Sequence, residues 1–87
     1  MPYSEDYIKN KLTKVLDPSH IEVEDQSDGC GSKFSVVIVS EKFQGKSLLQ
    51  RHRLVNSILE EELKEIHAFS QITLTPEQWE SRQHNNE

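Results

Sequence analysis

"SLLQRHRLVNSILEEELKEIHAFSQITL" (Ser47 to Leu74) decides the architecture, because its period changes partway along. Up to about Lys64, side chains recur at helical spacing. Leu48, Leu49, His52, Val55, Ile58, Leu59 and Leu63 form one broad stripe, apolar except for the histidine. Ser47 and Gln50 make a capping box at its start, each side chain reaching the other's backbone amide. "AFSQITL" (Ala68 to Leu74) then reads as a strand. Upstream, "FSVVIVS" (Phe34 to Ser40) is β-branched and nearly continuous in apolar residues, which suits a central strand. Two strands joined through one helix run parallel, by a right-handed crossover.

Working outward, "HIEVE" (His20 to Glu24) alternates, with Ile21 and Val23 on one face and His20, Glu22 and Glu24 on the wet one. The polar, glycine-bearing stretch from Gln26 to Lys33 is the loop of an antiparallel hairpin. Ser4 caps a first helix carrying Ile8, Leu12, Val15 and Leu16, which Pro18 stops near Asp17. "TPEQW" (Thr75 to Trp79) is a second capping box, Thr75 with Gln78, with Pro76 at the favoured first position. The order is α-β-β-α-β-α: an α+β domain with a three-stranded mixed sheet and helices packed on one face. A single domain spans residues 1–87, with its core over about 4–82, and 83–87 are expected to fray.

The 87 residues are 33% hydrophobic and 29% charged, the balance of a soluble domain with a thin core. No stretch approaches the ~20 apolar residues that cross a bilayer. "MPYSEDY" lacks the features of a secretory or mitochondrial leader. One cysteine, without a disulfide framework, fits a reducing compartment. The formal net charge of −5 opposes binding to phosphate backbones. Lys42, Lys46, Arg51 and Arg53 form a local basic cluster that keeps nucleic acid as the alternative partner.

Cys30 stands between Gly29 and Gly31 just ahead of the second strand, and His67 stands at the start of the third. Parallel neighbours begin at one sheet edge and lie ~4.8 Å apart, so a mobile loop can bring thiolate and imidazole together. The pair is half of a metal site at most, since no CxxC or HxxxH spacing supplies further ligands. A chance exposed thiol and a strand-edge histidine remain equally plain readings. His52 reads as a packed or capping residue, His20 and His84 as solvated, and Trp79 as packing the last helix onto the sheet. No glycine-rich phosphate loop, paired carboxylates or G-x-S-x-G elbow points to an enzyme.

"FQGKSLLQRHRLVNSIL" and "IHAFSQITLTPEQW" resemble the BolA family, the likeness running from about Tyr7 to Trp79, and "HIEVEDQ" with a one-cysteine loop looks most like its eukaryotic cytosolic type-2 branch. The resemblance implies a fold similar to a type-II KH domain, although the G-x-x-G loop of KH domains is absent. It implies a non-enzymatic adaptor that pairs with a monothiol (CGFS) glutaredoxin. The two would share a [2Fe-2S] cluster held also by the glutaredoxin's cysteine and bound glutathione, with none expected in the isolated chain. By position the ligands on this side would be His67 and Cys30, and Arg51, His52, Arg53, His67, Ala68 and Phe69 would meet the partner. The setting implied is cytosolic iron–sulfur trafficking and iron homeostasis, with iron-responsive regulators or cluster-accepting clients as further partners. The compartment implied is the cytoplasm, with the nucleus as a second location. DNA binding, linked to bacterial relatives, is the alternative.

Overall fold

The Ser4 hydroxyl accepts the Tyr7 N–H at 3.0 Å and opens helix α1 (Glu5–Leu16), with Glu5 and Asp6 at its positive end. The structure is a computed structural model that describes residues 3–29 and 31–85, the side chains of His84 and Asn85 excepted. Asp17 closes α1 in the left-handed region at φ 44°, its N–H bonded to the Thr13 carbonyl. Ile8, Leu12 and Leu16 lie one or more turns apart on the buried face, while Val15 is turned to solvent.

Strand β1 (His20–Asp25) pairs antiparallel with β2 (Lys33–Val39), Ile21 opposite Ile38 and His20 opposite Val39. A 3-10 turn (Glu41–Phe43) leads to α2 (Leu48–Ile58), whose capping box is formed in both directions. After a short helix α3 (Glu60–Leu63), β3 (Ala68–Leu74) returns parallel to β2, Lys33 beside Ala68 and Val39 beside Leu74. The sheet order is β1-β2-β3, followed by α4 (Pro76–Asn85). The expected α+β order and mixed sheet are present.

The core lies between α1, α2 and one sheet face. Phe34, Val36 and Ile38 of β2 meet Ile8, Leu12 and Leu16 of α1, with Phe43, Val55 and Leu59 filling the far side. Each such side chain contributes about 1.5–3 kcal/mol through burial. Among the described residues, no helix is long and apolar enough to cross a membrane.

Four details differ from the sequence reading. The long helix is broken at Leu59, whose ψ of 23° ends α2. Glu60, Glu61 and Glu62 then open α3, and three acids are favourable at a helix N-terminus. Leu48 and Leu49 belong to the apolar stripe by spacing, yet they are 61% and 59% exposed. The Arg51 guanidinium already lies against the Thr73 carbonyl near the end of β3, so the turn before it overshoots the sheet. The helices do not all share one face: Trp79 of α4 stacks on His20 at 4.5 Å. His20 pairs with Val39 on the side opposite the Ile21–Ile38 pair, so α4 covers the other face there, where Val39 is fully buried. Finally, α4 continues to Asn85, through residues expected to fray.

Candidate functional site

The parallel register sets the chain just before β2 beside the chain just before β3. The N–H groups of His67 and Ala68 both donate to the Ser32 carbonyl, at 2.8 and 3.1 Å. That fork fixes the backbone from which the imidazole projects. His67 is exposed, and its ring has no hydrogen-bond partner among the described residues. A free imidazole on a fixed backbone at a sheet edge is suited to metal ligation.

Gly31 presses against this histidine. A Cβ added there would lie 3.0 Å from the His67 Cβ and 3.3 Å from its Cγ, and Gly31 adopts φ +136°. Both facts require glycine. The other expected ligand, Cys30, lies outside the described residues. It precedes Gly31 in the chain. Among the described residues, no three His, Cys, Asp or Glu side chains come together in a way that could hold a metal.

The hairpin loop, expected from its composition to be mobile, is cross-braced on either side of residue 30. Gln26 N–H donates to the Lys33 carbonyl at 2.8 Å and Lys33 N–H to the Ser27 hydroxyl at 3.0 Å. Asp28 and Gly31 exchange backbone hydrogen bonds at 3.2 and 3.1 Å, and the Lys33 ammonium reaches the Asp28 carboxylate at 3.1 Å. The Asp25 carboxylate accepts the Ser27 N–H at 2.9 Å. Bonds from the Ser27 side chain and backbone hold Asp25 below the usual carboxylate range.

A second set of contacts anchors the chain entering His67. Glu62 of α3 is 2% exposed, and one of its carboxylate oxygens meets both the Tyr7 hydroxyl at 2.7 Å and the Lys11 ammonium at 2.5 Å. Burial alone would raise this carboxyl, but the bonds from Lys11 and Tyr7 outweigh it and hold it below the ordinary glutamate range. The same bond to Glu62 raises the Lys11 ammonium, and it raises the Tyr7 hydroxyl. Tyr3 stacks on Tyr7 and donates to Glu65 at 3.3 Å. Tyr7 and Lys11 of α1, with Tyr3 just ahead of it, thus clamp the segment ending in buried Ile66 and then His67. Sequence reasoning missed this clamp. Its one signal was Glu62 continuing the line of Val55 and Leu59 at helical spacing.

The six residues expected to meet a partner do not form one surface. His67, Ala68 and Phe69 stand at the start of β3. Arg51, His52 and Arg53 stand on α2, which runs back along β3: Arg51 meets Thr73, and Asn56, further along the helix, accepts from the Gln71 side-chain amide. The arginine cluster therefore lies toward the far end of the strand from His67. Arg51 is 9% exposed and directed inward. It donates to the Lys46 carbonyl at 3.1 Å, the Thr73 carbonyl at 3.2 Å and Gln78 Oε1 at 2.8 Å, and lies 5.9 Å from the Phe43 ring centroid. Of the basic cluster, Lys42, Lys46 and Arg53 face solvent. His52 is half-buried, as expected of a packed residue, and its Nε2 is buried without a hydrogen-bond partner among the described residues. His20, expected to be solvated, keeps 38% of its side chain exposed but stacks one ring face on Trp79 and pairs with Glu22 at 2.7 Å.

Comparison with known proteins finds the family model described as BolA-like protein, matching residues 12–78. BolA-like protein 2 of Mus musculus is 58% identical over 80 residues, spanning 91% of this chain and 93% of its own. BolA-like protein 2 of Homo sapiens is 55% identical over the same length and the same shares. Among solved structures, a bol-like protein from Babesia bovis superposes with a TM-score of 0.88 at 43% identity, covering 93% of this chain and 94% of that one.

Proposed function

The chain belongs to the BolA-like family, and from that premise we propose that it is a non-enzymatic adaptor that pairs with a monothiol glutaredoxin and shares a [2Fe-2S] cluster with it. The observation that carries this reading is His67: an exposed imidazole without a partner among the described residues, its backbone fixed by the Ser32 carbonyl, beside the loop to which Cys30 belongs. One strand-edge histidine with one loop thiol makes half a ligand set, and an iron–sulfur cluster takes four. The glutaredoxin cysteine and its bound glutathione supply the rest. Such an adaptor works in cytosolic cluster trafficking and iron homeostasis, in the cytoplasm and in part the nucleus, passing or reporting the cluster to clients or iron-responsive regulators.

Co-expression with a CGFS glutaredoxin followed by visible absorption and circular dichroism tests the reading. A coloured heterodimer with a mixed imidazole–thiolate spectrum is expected. His67→Ala should abolish or grossly alter that spectrum, and Cys30→Ala should perturb it while leaving a cluster. An unchanged spectrum in His67→Ala, or no complex at all with the parent chain, would reject the proposal.

A further inference from the structure

The first turn of α2 exposes two leucines side by side, more openly than any other large hydrophobic residue among the described residues. Leu48 and Leu49 are 61% and 59% exposed. Along the chain beside them the charge is of one sign, while Glu77 of α4 stands next to the Gln78 that Arg51 bonds. No acidic residue occurs between Glu41 and Glu60, while the whole chain carries −5. Lys42 and Lys46 precede the turn along the chain, and Arg53 lies one turn beyond Leu49, all three exposed and with no carboxylate partner among the described residues. Arg51, the fourth cation, is consumed inside the fold.

This patch is separate from the His67 end. It adjoins the close of β3 through Arg51 and Thr73, and β3 is seven residues long, so about 20 Å of strand lies between the two. We propose that the turn Ser47–Arg53 is a second docking surface, for an acidic amphipathic segment of a partner protein. Carboxylates of that segment answer Lys42, Lys46 and Arg53, and its apolar side chains cover Leu48 and Leu49.

Phosphate fits less well. The helix terminus that would bind it is already capped, with Gln50 N–H on the Ser47 hydroxyl and Ser47 N–H on the Gln50 side chain. Two leucines also gain nothing from a phosphodiester backbone. A lipid surface fits less well too. An interfacial helix needs a long apolar face, and the line of Val55 and Leu59 that continues this one is buried in the core. A patch of two leucines makes a small, transient contact.

The test uses the ¹⁵N-labelled full chain alone, without glutaredoxin, so its outcome is independent of the metal reading. The probe is a synthetic helical peptide with leucine at i, i+3, i+4 and i+7 and glutamate elsewhere. Comparison probes are the same peptide with lysine for glutamate, phosphatidylserine vesicles and duplex DNA. The acidic peptide should shift the amides of residues 46–53 and leave 67–69 unmoved, and its binding should weaken with salt. Leu48→Ser with Leu49→Ser should lower its affinity about tenfold with an unchanged far-ultraviolet spectrum, as expected for exposed residues. Equal binding of the lysine peptide, tighter binding of vesicles or DNA at these residues, shifts confined elsewhere, or indifference to the double substitution would each overturn the proposal.

Discussion

Gly31 and His67 stand so close that a single methyl group on the glycine would lie 3.0 Å from the histidine Cβ. The contact joins two chain segments that are distant in sequence and adjacent only because β2 and β3 run parallel. Gly31 also holds φ +136°, where a side chain is strained whatever the space. Gly31→Ala should therefore destabilise the domain by about 1–3 kcal/mol and displace the His67 resonances. Gly29→Ala, two positions earlier, meets nothing within 4 Å and should change stability by less than about 0.5 kcal/mol. Urea unfolding and a histidine-ring NMR spectrum of both variants check the pair. Equal behaviour of the two would mean that the close approach does not constrain the site.

That shared edge was legible before any coordinates, since strand–helix–strand order with a short crossover leaves only a parallel pairing. Both capping boxes were legible for the same kind of reason: the partners sit three residues apart and need no tertiary information. What escaped was set by tertiary distance. Periodicity gives the direction in which Leu48 and Leu49 point but not where the sheet ends beneath them. Arg51 looked like a surface cation because its acceptors, the Thr73 carbonyl and Gln78, are more than twenty residues away. The clamp on Glu62 joins residues more than fifty apart, so no local pattern could show it.

The Glu62 clamp makes part of the stability depend on pH. Its folded pKa is depressed by the bonds from Lys11 and Tyr7, which outweigh the effect of burial. Stability from this group is therefore complete above the unfolded glutamate value, roughly 4.3, and is lost as pH falls through the lower folded value. Glu62→Gln should remove that contribution and cost about 2 kcal/mol at neutral pH, the worth of charge-assisted bonds to a buried group. Thermal unfolding of parent and variant from pH 7 down to pH 3 should show the two curves converging in acid. Parallel curves would indicate that the carboxylate is not held in its ionised form.

Trp79 fastens α4 to the outer sheet face through His20, with ring centroids 4.5 Å apart and planes 21° from parallel. Removing the indole uncovers His20, whose cross-strand partner Val39 is fully buried. Trp79→Ala should cost about 2–3 kcal/mol and increase amide exchange in α4 and at His20 before the rest of the sheet. His20→Ala should weaken the same helix by a smaller amount, about 1 kcal/mol, because it removes one stacking surface and leaves the indole its other contacts. Hydrogen exchange read residue by residue separates this from global unfolding. Uniform loss of protection in both variants would show that α4 is not a separate unit.

Arg51 and Arg53 are two positions apart, yet the fold treats them in opposite ways. Arg51 donates to two carbonyls and to Gln78 Oε1, the same oxygen that accepts the Thr75 N–H in the second capping box. It thereby ties the start of α2 to the end of β3 and the start of α4. Arg53 is exposed and makes no such bonds among the described residues. Arg51→Ala removes the donor from the buried Thr73 carbonyl, breaks the bonds to Lys46 and Gln78 and removes a side chain from against Phe43, so it should cost about 2–4 kcal/mol. Arg51→Lys should recover less than half of this, because an ammonium cannot reproduce the planar fork that reaches two elements at once. Arg53→Ala should change stability by no more than about 0.5 kcal/mol. Any loss of partner binding in Arg51→Ala therefore has to be corrected for the unfolded fraction, whereas a loss in Arg53→Ala is read directly as a surface effect. Denaturant unfolding of the three variants decides it: an Arg51→Ala protein as stable as the parent would mean that the guanidinium is free at the surface and available to a ligand.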